Sequence, residues 1–416
     1  MLARAVAEDV FREAIAACDP ARRVREALGA RRPTIGLAIG KAALAMARGA
    51  GEVTRGLVVV PDLAELVDAE GPLPSGWRMI VSAHPQPDAR SVAAADAAVE
   101  LVSSASDRDT VLALISGGAS SLVEQPRIPL SEFRAVIEAL MRAGAPISDL
   151  NTVRTALSSI KGGQLALRSP AAVITLAVSD VIGDDLAVIG SGPTIGPWTA
   201  APGIPIDVGA HHEARRQRAI AILAAHGLAI PHALALPVPS SIATRDDHAA
   251  VIAPMRSFAD AAVAALSRRA LAVELLEAPL AAPVAAVVER LAARATASAG
   301  KVLVAWGEPT LRVPDAHGEG GRAQQLALEL ARRLAGTPRC ALVVGSDGID
   351  GPPPAARPAP AGAFVDGGTW DAIVATGLDP FAALGRCDAG TALAAVGSLV
   401  ITGATGINHA DLVIVG

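Results

Sequence analysis

The chain has 416 residues and a formal net charge of −5, with 51% hydrophobic and 19% charged residues. At ~100 to 200 residues per domain this length predicts two domains or three, each with its own core, and it excludes a disordered chain. Aromatic residues are only 2% and Tyr is absent, so the cores are built from Ala, Val, Leu and Ile; platforms for base stacking are missing, which argues against nucleic acid as a partner.

The opening stretch MLARAVAEDVFREAIAACDP carries acids where a secretion signal needs an uninterrupted apolar run, and it predicts an amphipathic helix ending near Pro20. Cys18, Cys340 and Cys387 are an odd number without paired spacing, which points to a reducing, cytoplasmic setting. No apolar run reaches the ~20 residues that span a bilayer; the most apolar, Ala278 to Val288, is broken by Pro279 and Pro283.

Short apolar runs then recur, each followed at once by small or polar residues: IGLAI by GKAA, VLALI by SGGASS, VITLAV by SDVIGDD. The second half repeats the habit with VLVA before WGEPT, CALVV before GSDGIDG, and SLVIT before GATGINHAD. Helical spacing lies between them, as at Ser91 to Ser104, Ser131 to Gly144 and Arg322 to Leu334. Strands alternating with helices predict an α/β chain with mainly parallel sheets, whose ligands bind beyond the carboxyl ends of strands. From Pro193 to Asp246 the text turns rich in Pro, His and Gly, with one helix around Ala214 to Ala225. A boundary near residue 245 is expected, giving domains 1–245 and 246–416. The Pro-rich stretch from Gly351 to Gly362 reads as a surface loop.

Two cations stand where a helix begins. Lys41 follows Gly40 at the end of IGLAI, and Arg322 opens GRAQQLALELARRL. Beside the positive end of a helix dipole a cation is unfavourable unless an anion offsets it. GLAIGKAA has one residue too few for a Walker loop and Ala42 where a hydroxyl is needed. Ser116 to Ser121 and Gly190, Ser191 and Gly192 offer small-residue backbone that can cradle an oxyanion, and a turn needing glycine is the plainer reading of either alone. Asp180, Asp184 and Asp185 share one loop, and Asp347 and Asp350 another; clustered carboxylates suit Mg²⁺ or proton removal from a hydroxyl, although helix capping accounts for some of them. No GxGxxG occurs, Ser158 to Lys161 is a chance S-x-x-K, and the adjacent His211 and His212 read as surface loop. Anion cradles, helix-start cations and carboxylate clusters together are the parts of phosphoryl transfer without a Walker motif.

The ordered strings GKAALAMA, SAHPQPD, LISGGASSL, LNTVRTALSSIKGGQLA, VSDVIGDDLAVIGSGPT, GRAQQLALELA, GSDGIDG and TGATGINHADL span nearly the whole chain. In that order they resemble the glycerate 2-kinases of the MOFRL type. The resemblance implies an N-terminal Rossmann-like domain and a C-terminal MOFRL domain, both α/β/α, facing across a cleft. It further implies ATP-dependent phosphorylation of the 2-hydroxyl of D-glycerate with Mg²⁺; a cytoplasmic monomer or homodimer is expected beside it. Lys41 and Arg322 match the family's essential cations, and Asp180 falls on its SDVxGD motif. The candidate roles are therefore catalytic for Lys41, Arg322 and Asp180, and metal binding for Asp184, Asp347 and Asp350. Substrate or nucleotide contacts are expected from Ser116, Gly117, Gly118, Ser120, Asn151, Arg154, Lys161, Gly190, Ser191, Gly192, Glu308, Thr402, Thr405 and Asn408. The chain departs from the family at Ala156, Trp306, Ala323 and Gln325, which opens the acceptor to another small hydroxy acid. An oxidoreductase acting on hydroxypyruvate or tartronate is the alternative, and a non-catalytic sensor of phosphorylated metabolites a third.

Overall fold

The apolar runs become the strands of two sheets in a computed structural model that describes residues 2–61, 72–298, 300–352 and 358–416. Part of the Pro-rich stretch expected as a surface loop, residues 353–357, lies outside the described residues. The chain divides into a first unit, Pro20–Ala253, and a second unit, Met1–Asp19 with Pro254–Gly416.

In the first unit the strands are β1 (Ile35–Ile39), β2 (Arg55–Pro61), β3 (Trp77–Ser82), β4 (Thr110–Ile115) and β5 (Ala172–Val178), then the short β6 (Ile206–Asp207) and β7 (Ile242–Ala243), and β8 (His248–Ala253). Six of them form a parallel sheet in the order β3-β2-β1-β4-β5-β8, while β6 and β7 pair separately. Side-chain alternation along β1 sends Ile35, Leu37 and Ile39 to one core, with Ala94 and Ala98 of the helix Ala89–Ser103. Ala38 faces the other core, with Val24 and Met46 from the helices Pro20–Leu28 and Ala43–Ala50. The result is an α/β/α sandwich. A further cluster joins the helices Leu130–Arg142, Ile147–Ala156 and Val208–Ala225 through Phe133, Val153 and Leu223. His211 and His212, expected in a loop, sit on the last of these helices.

In the second unit the strands are β9 (Val273–Leu275), β10 (Val302–Gly307), β11 (Cys340–Gly345), β12 (Gly362–Asp366), β13 (Leu399–Val400) and β14 (Asp411–Val415). Their order is β13-β12-β11-β14-β10-β9. Only β9 and β10 are parallel; every other pair is antiparallel, which corrects the expectation of mainly parallel sheets for this half. Both faces of the sheet are covered, so its strands read as unbroken apolar runs just as parallel ones do, and such a pattern carries no direction. One face packs on the helices Val284–Ala297 and Arg322–Leu334. The other packs on Arg4–Ala17 and Ser257–Arg268, with Phe11 and Phe258 edge to face at 5.9 Å.

The partition therefore differs from a single cut at residue 245. The strand β8 completes the first sheet, moving the change of unit to Ala253, and the first helix buries its apolar stripe in the second unit's core. Among the described residues no helix is long and apolar enough to cross a membrane.

Candidate active site

The order of the parallel sheet reverses between β1 and β4, and at such a switch point the loops leaving the two strands part to opposite faces and open a crevice. Those loops are Gly40–Lys41 and Ser116–Gly118, two of the segments singled out from sequence. They are tied together. The Lys41 amide donates to Gly117 O at 2.9 Å, and the Ala42 amide to Ser116 Oγ at 3.1 Å. Gly40 makes this closeness possible: its φ is +130°, and a Cβ there would fall 2.1 Å from Ser116 Oγ. The helix begins only at Ala43, so Lys41 precedes it rather than occupying its first turn, and the dipole argument for this residue weakens accordingly.

Next to this crevice the first unit has a cavity of 230 Å³. Of the expected residues, Gly118, Ser120, Arg154 and Lys161 line it, with Ser121 from the same small-residue cradle; so do His84, Glu124 and Arg134, which the sequence reading did not nominate. His84, Gln86 and Arg134 are exposed at its rim, whereas Glu124 and Lys161 are buried at its floor. The Lys161 ammonium pairs with Glu124 Oε2 and donates to Ser120 O at 2.7 Å. Burial lowers the pKa of Lys161 while Glu124 opposes that shift. Burial likewise lowers the pKa of Arg154, whose Nη1 reaches Asn151 Oδ1 at 3.5 Å. His84 is held below its ordinary pKa by desolvation and then by the charge of Lys41. Its ring lies over Gly118, where a Cβ would stand 3.1 Å from His84 Cδ2 and 3.6 Å from Lys41 Cγ.

The second cradle approaches the first through Ser191, whose hydroxyl lies 2.9 Å from that of Ser120. Gly190, Ser191 and Gly192 all have positive φ, a run glycine favours and Ser191 must be held in. Asp180 follows β5 by two residues but does not line the cavity. Asp184 turns the same loop at φ +54°, and Asp185 accepts from the Ala187 amide at 2.9 Å.

The remaining candidates belong to the second unit, where Arg322 is already neutralised. Its guanidinium makes a two-pronged pair with Asp411, Nε to Oδ2 at 2.6 Å and Nη2 to Oδ1 at 2.9 Å, and Nη1 reaches Glu308 Oε1 at 3.0 Å. Burial would lower its pKa, but the bonds and charge of Asp411 and Glu308 raise it. Asp411 was missed by sequence reading. It opens β14 opposite Gly307 of β10 and Gly345 of β11, so antiparallel pairing sets its carboxylate between two strand ends. Burial pushes Asp411 up to about 6; Arg322 opposes this, and Asp350 and Glu308 add to it.

Asp350, expected as a metal ligand, instead caps a helix in this structure. Its oxygens accept from the amides of Ala323 and Gln324 at 2.9 and 2.7 Å and from Gln324 Nε2, closing the start of the helix Arg322–Leu334. The anion needed at that helix end is thus supplied from within the unit. Asp347 accepts from the Ile349 amide, and Thr405 is bound into the same loop by its amide, which donates to Asp347 O, and by its hydroxyl, which donates to Ser346 O. Thr402 is exposed, and Asn408 is buried. Ala323 and Gln325, where the family pattern has Asn and Glu, are buried in this unit, Gln325 donating to Leu384 O at 3.0 Å. Among the described residues no three His, Cys, Asp or Glu side chains are grouped to hold a metal.

The domain of unknown function DUF4147 matches residues 6–207, and the MOFRL family matches residues 301–411. The chain is 33% identical to the D-glycerate 2-kinase of Thermotoga maritima, covering 98% of this chain and 97% of that one. It is 35% identical to an Agrobacterium vitis protein that carries a hydroxypyruvate reductase name, over 99% of this chain and 93% of that one. The crystal structure of a glycerate kinase from Thermotoga maritima superposes with a TM-score of 0.83 at 31% identity, covering 99% of this chain and 98% of that one. Motif order, fold and full-length likeness agree, and the chain belongs to the glycerate 2-kinase family, in which a DUF4147 segment precedes a MOFRL segment.

Proposed function

We propose that this protein transfers the terminal phosphoryl group of ATP to the 2-hydroxyl of D-glycerate, releasing ADP and 2-phosphoglycerate. The cavity of the first unit supports this reading above all: Arg154 and Lys161 line it with Gly118, and the neighbouring Gly117 O accepts from the Lys41 amide at the switch point of a parallel sheet. Its size and charge suit a small hydroxy acid. Arg154 is the partner for the substrate carboxylate, because among the described residues it has no acidic side chain within ion-pair distance. Ser120 adds a hydroxyl donor on the same wall.

His84, at the rim, takes the proton of the attacking 2-hydroxyl. A ring whose pKa is lowered is neutral near pH 7 and offers a lone pair. This moves hydroxyl activation from Asp180, which is outside the cavity lining, to His84. As the 2-hydroxyl oxygen bonds to the terminal phosphorus, the bridging bond to ADP breaks, and Lys41 offsets the charge on the transferring group.

Mg²⁺ neutralises phosphate charge when bound. Asp347, which accepts from the Ile349 amide through Oδ1, would hold it as a single carboxylate ligand, in keeping with an ion that takes one or two carboxylates and fills the rest of its shell with phosphate and water. Asp350 and Asp411 do not fit, since their oxygens are already engaged by amides and by Arg322.

The reductase alternative lacks the glycine fingerprint at its first βα turn, where Lys41 stands instead. An ADP-coupled assay with D-glycerate, L-glycerate, hydroxypyruvate and tartronate, run beside NADH oxidation, tests the reading. ADP release with D-glycerate and Mg²⁺ supports it; NADH consumption with hydroxypyruvate and no ADP release overturns it.

A further inference from the structure

Glu124 is a carboxylate with only half its chemistry used. It is 0% exposed, its Oε2 is held by the Lys161 ammonium, and its Oε1 is buried without a hydrogen-bond partner. A buried acceptor left unsatisfied costs ~1–3 kcal/mol, more when charged, so a site that keeps one gains by receiving a donor. The proton of the pair lies between Nζ and Oε2 whichever atom owns it, and Oε1 is therefore an acceptor in either state. An acceptor repels carboxylate and phosphate oxygens and gets nothing from a carbonyl. It wants an O–H.

The rest of the cavity narrows the choice. Arg154 on the wall asks for a carboxylate, so the ligand that satisfies both is a hydroxy acid. The reacting hydroxyl must be reachable from outside by the nucleotide, and the exposed rim is formed by His84, Gln86 and Arg134. Glu124 and its partner lie at the closed end, where a group is shielded rather than attacked. We infer that Glu124 Oε1 accepts the proton of the substrate's non-reacting 3-hydroxyl, which makes Glu124 the residue that selects a 2,3-dihydroxy acid over its 3-deoxy analogue. This rests on the kinase reading above.

A site built to bind a substrate hydroxyl rejects the analogue lacking it by ~10⁴-fold, because its buried acceptor is then stranded. The test compares kcat/KM for D-glycerate with that for D-lactate, which keeps the carboxylate and the 2-hydroxyl and lacks only the 3-hydroxyl. The unaltered enzyme should prefer D-glycerate by ~10³-fold or more, and Glu124→Gln should collapse that ratio by ~10²-fold or more. A purely structural role would scale both substrates together and leave the ratio where it was, which would overturn the proposal. Should Glu124→Gln fail to fold, the unaltered enzyme alone decides: turnover of D-lactate within about tenfold of D-glycerate overturns the proposal. ATP-dependent turnover of neither acid overturns the kinase reading itself.

Discussion

Asp411→Asn separates two forces acting on one carboxylate. Burial and the neighbouring acids raise its pKa, and Arg322 lowers it, the net result being a rise from 3.8 to about 6. The unfolded residue gives up its proton near pH 4 and the folded one near pH 6, so over that interval the folded state holds more protons. Stability contributed by the protonated form is full below pH 4 and is lost as pH rises through about 6. Roughly 2 pH units at ~1.4 kcal/mol each gives a loss of ~3 kcal/mol. Asparagine keeps the shape and does not titrate. Urea unfolding of both proteins, followed by tryptophan fluorescence, should therefore show the unaltered chain losing ~3 kcal/mol relative to Asp411→Asn between pH 4 and pH 7. Trp306 is suited to report it, since β10 pairs it with Leu412, the residue after Asp411. A stability gap that stays constant, or one that moves in favour of the unaltered chain as pH rises, would show that the pairing with Arg322 outweighs burial and would refute the reasoning.

Lys161→Met leaves the Glu124 carboxyl buried without its partner, and urea unfolding should register a loss of ~3–5 kcal/mol, most of it recovered when Glu124→Gln is added. Gly118→Ala puts a Cβ at φ +85° and 3.1 Å from His84 Cδ2; thermal denaturation should show ~1–2 kcal/mol of destabilisation, and kcat should fall as the ring is displaced. Lys41→Ala should cut kcat by ~10³-fold in the ADP-coupled assay, and retention of full turnover would remove Lys41 from the phosphoryl-transfer role.

Sequence reading reached the first unit more fully than the second. A strand running into Gly40–Lys41 and another into Ser116–Gly118 are local signals, and the parallel topology that makes them meet follows from helices placed between strands. The partner of Arg322 was invisible because Asp411 lies 89 residues away and reaches it only through antiparallel pairing, whose direction an unbroken apolar run does not encode. The helix-end argument for Arg322 was sound physics with the wrong anion: Asp411, Glu308 and Asp350 supply the negative charge that an incoming phosphate was expected to bring. Asp350 looked like a metal ligand beside Asp347 because a capping carboxylate and a ligating one have the same spacing among glycines. Glu124 carried no signal, standing inside an ordinary run of residues, and its role emerges only when Lys161, 37 residues later, folds onto it. The first helix could be recognised as amphipathic but not assigned to a unit, since an apolar stripe does not say which core it will enter.

The central claim is a new phosphoester at a defined carbon. Enzyme supplied with ATP, Mg²⁺ and D-glycerate should yield an ester whose proton-coupled ³¹P resonance is a doublet, from the single hydrogen on C2, with one ADP released per ester formed. A triplet instead, from the two hydrogens on C3, or conversion of the acid with no new phosphoester resonance, would contradict it.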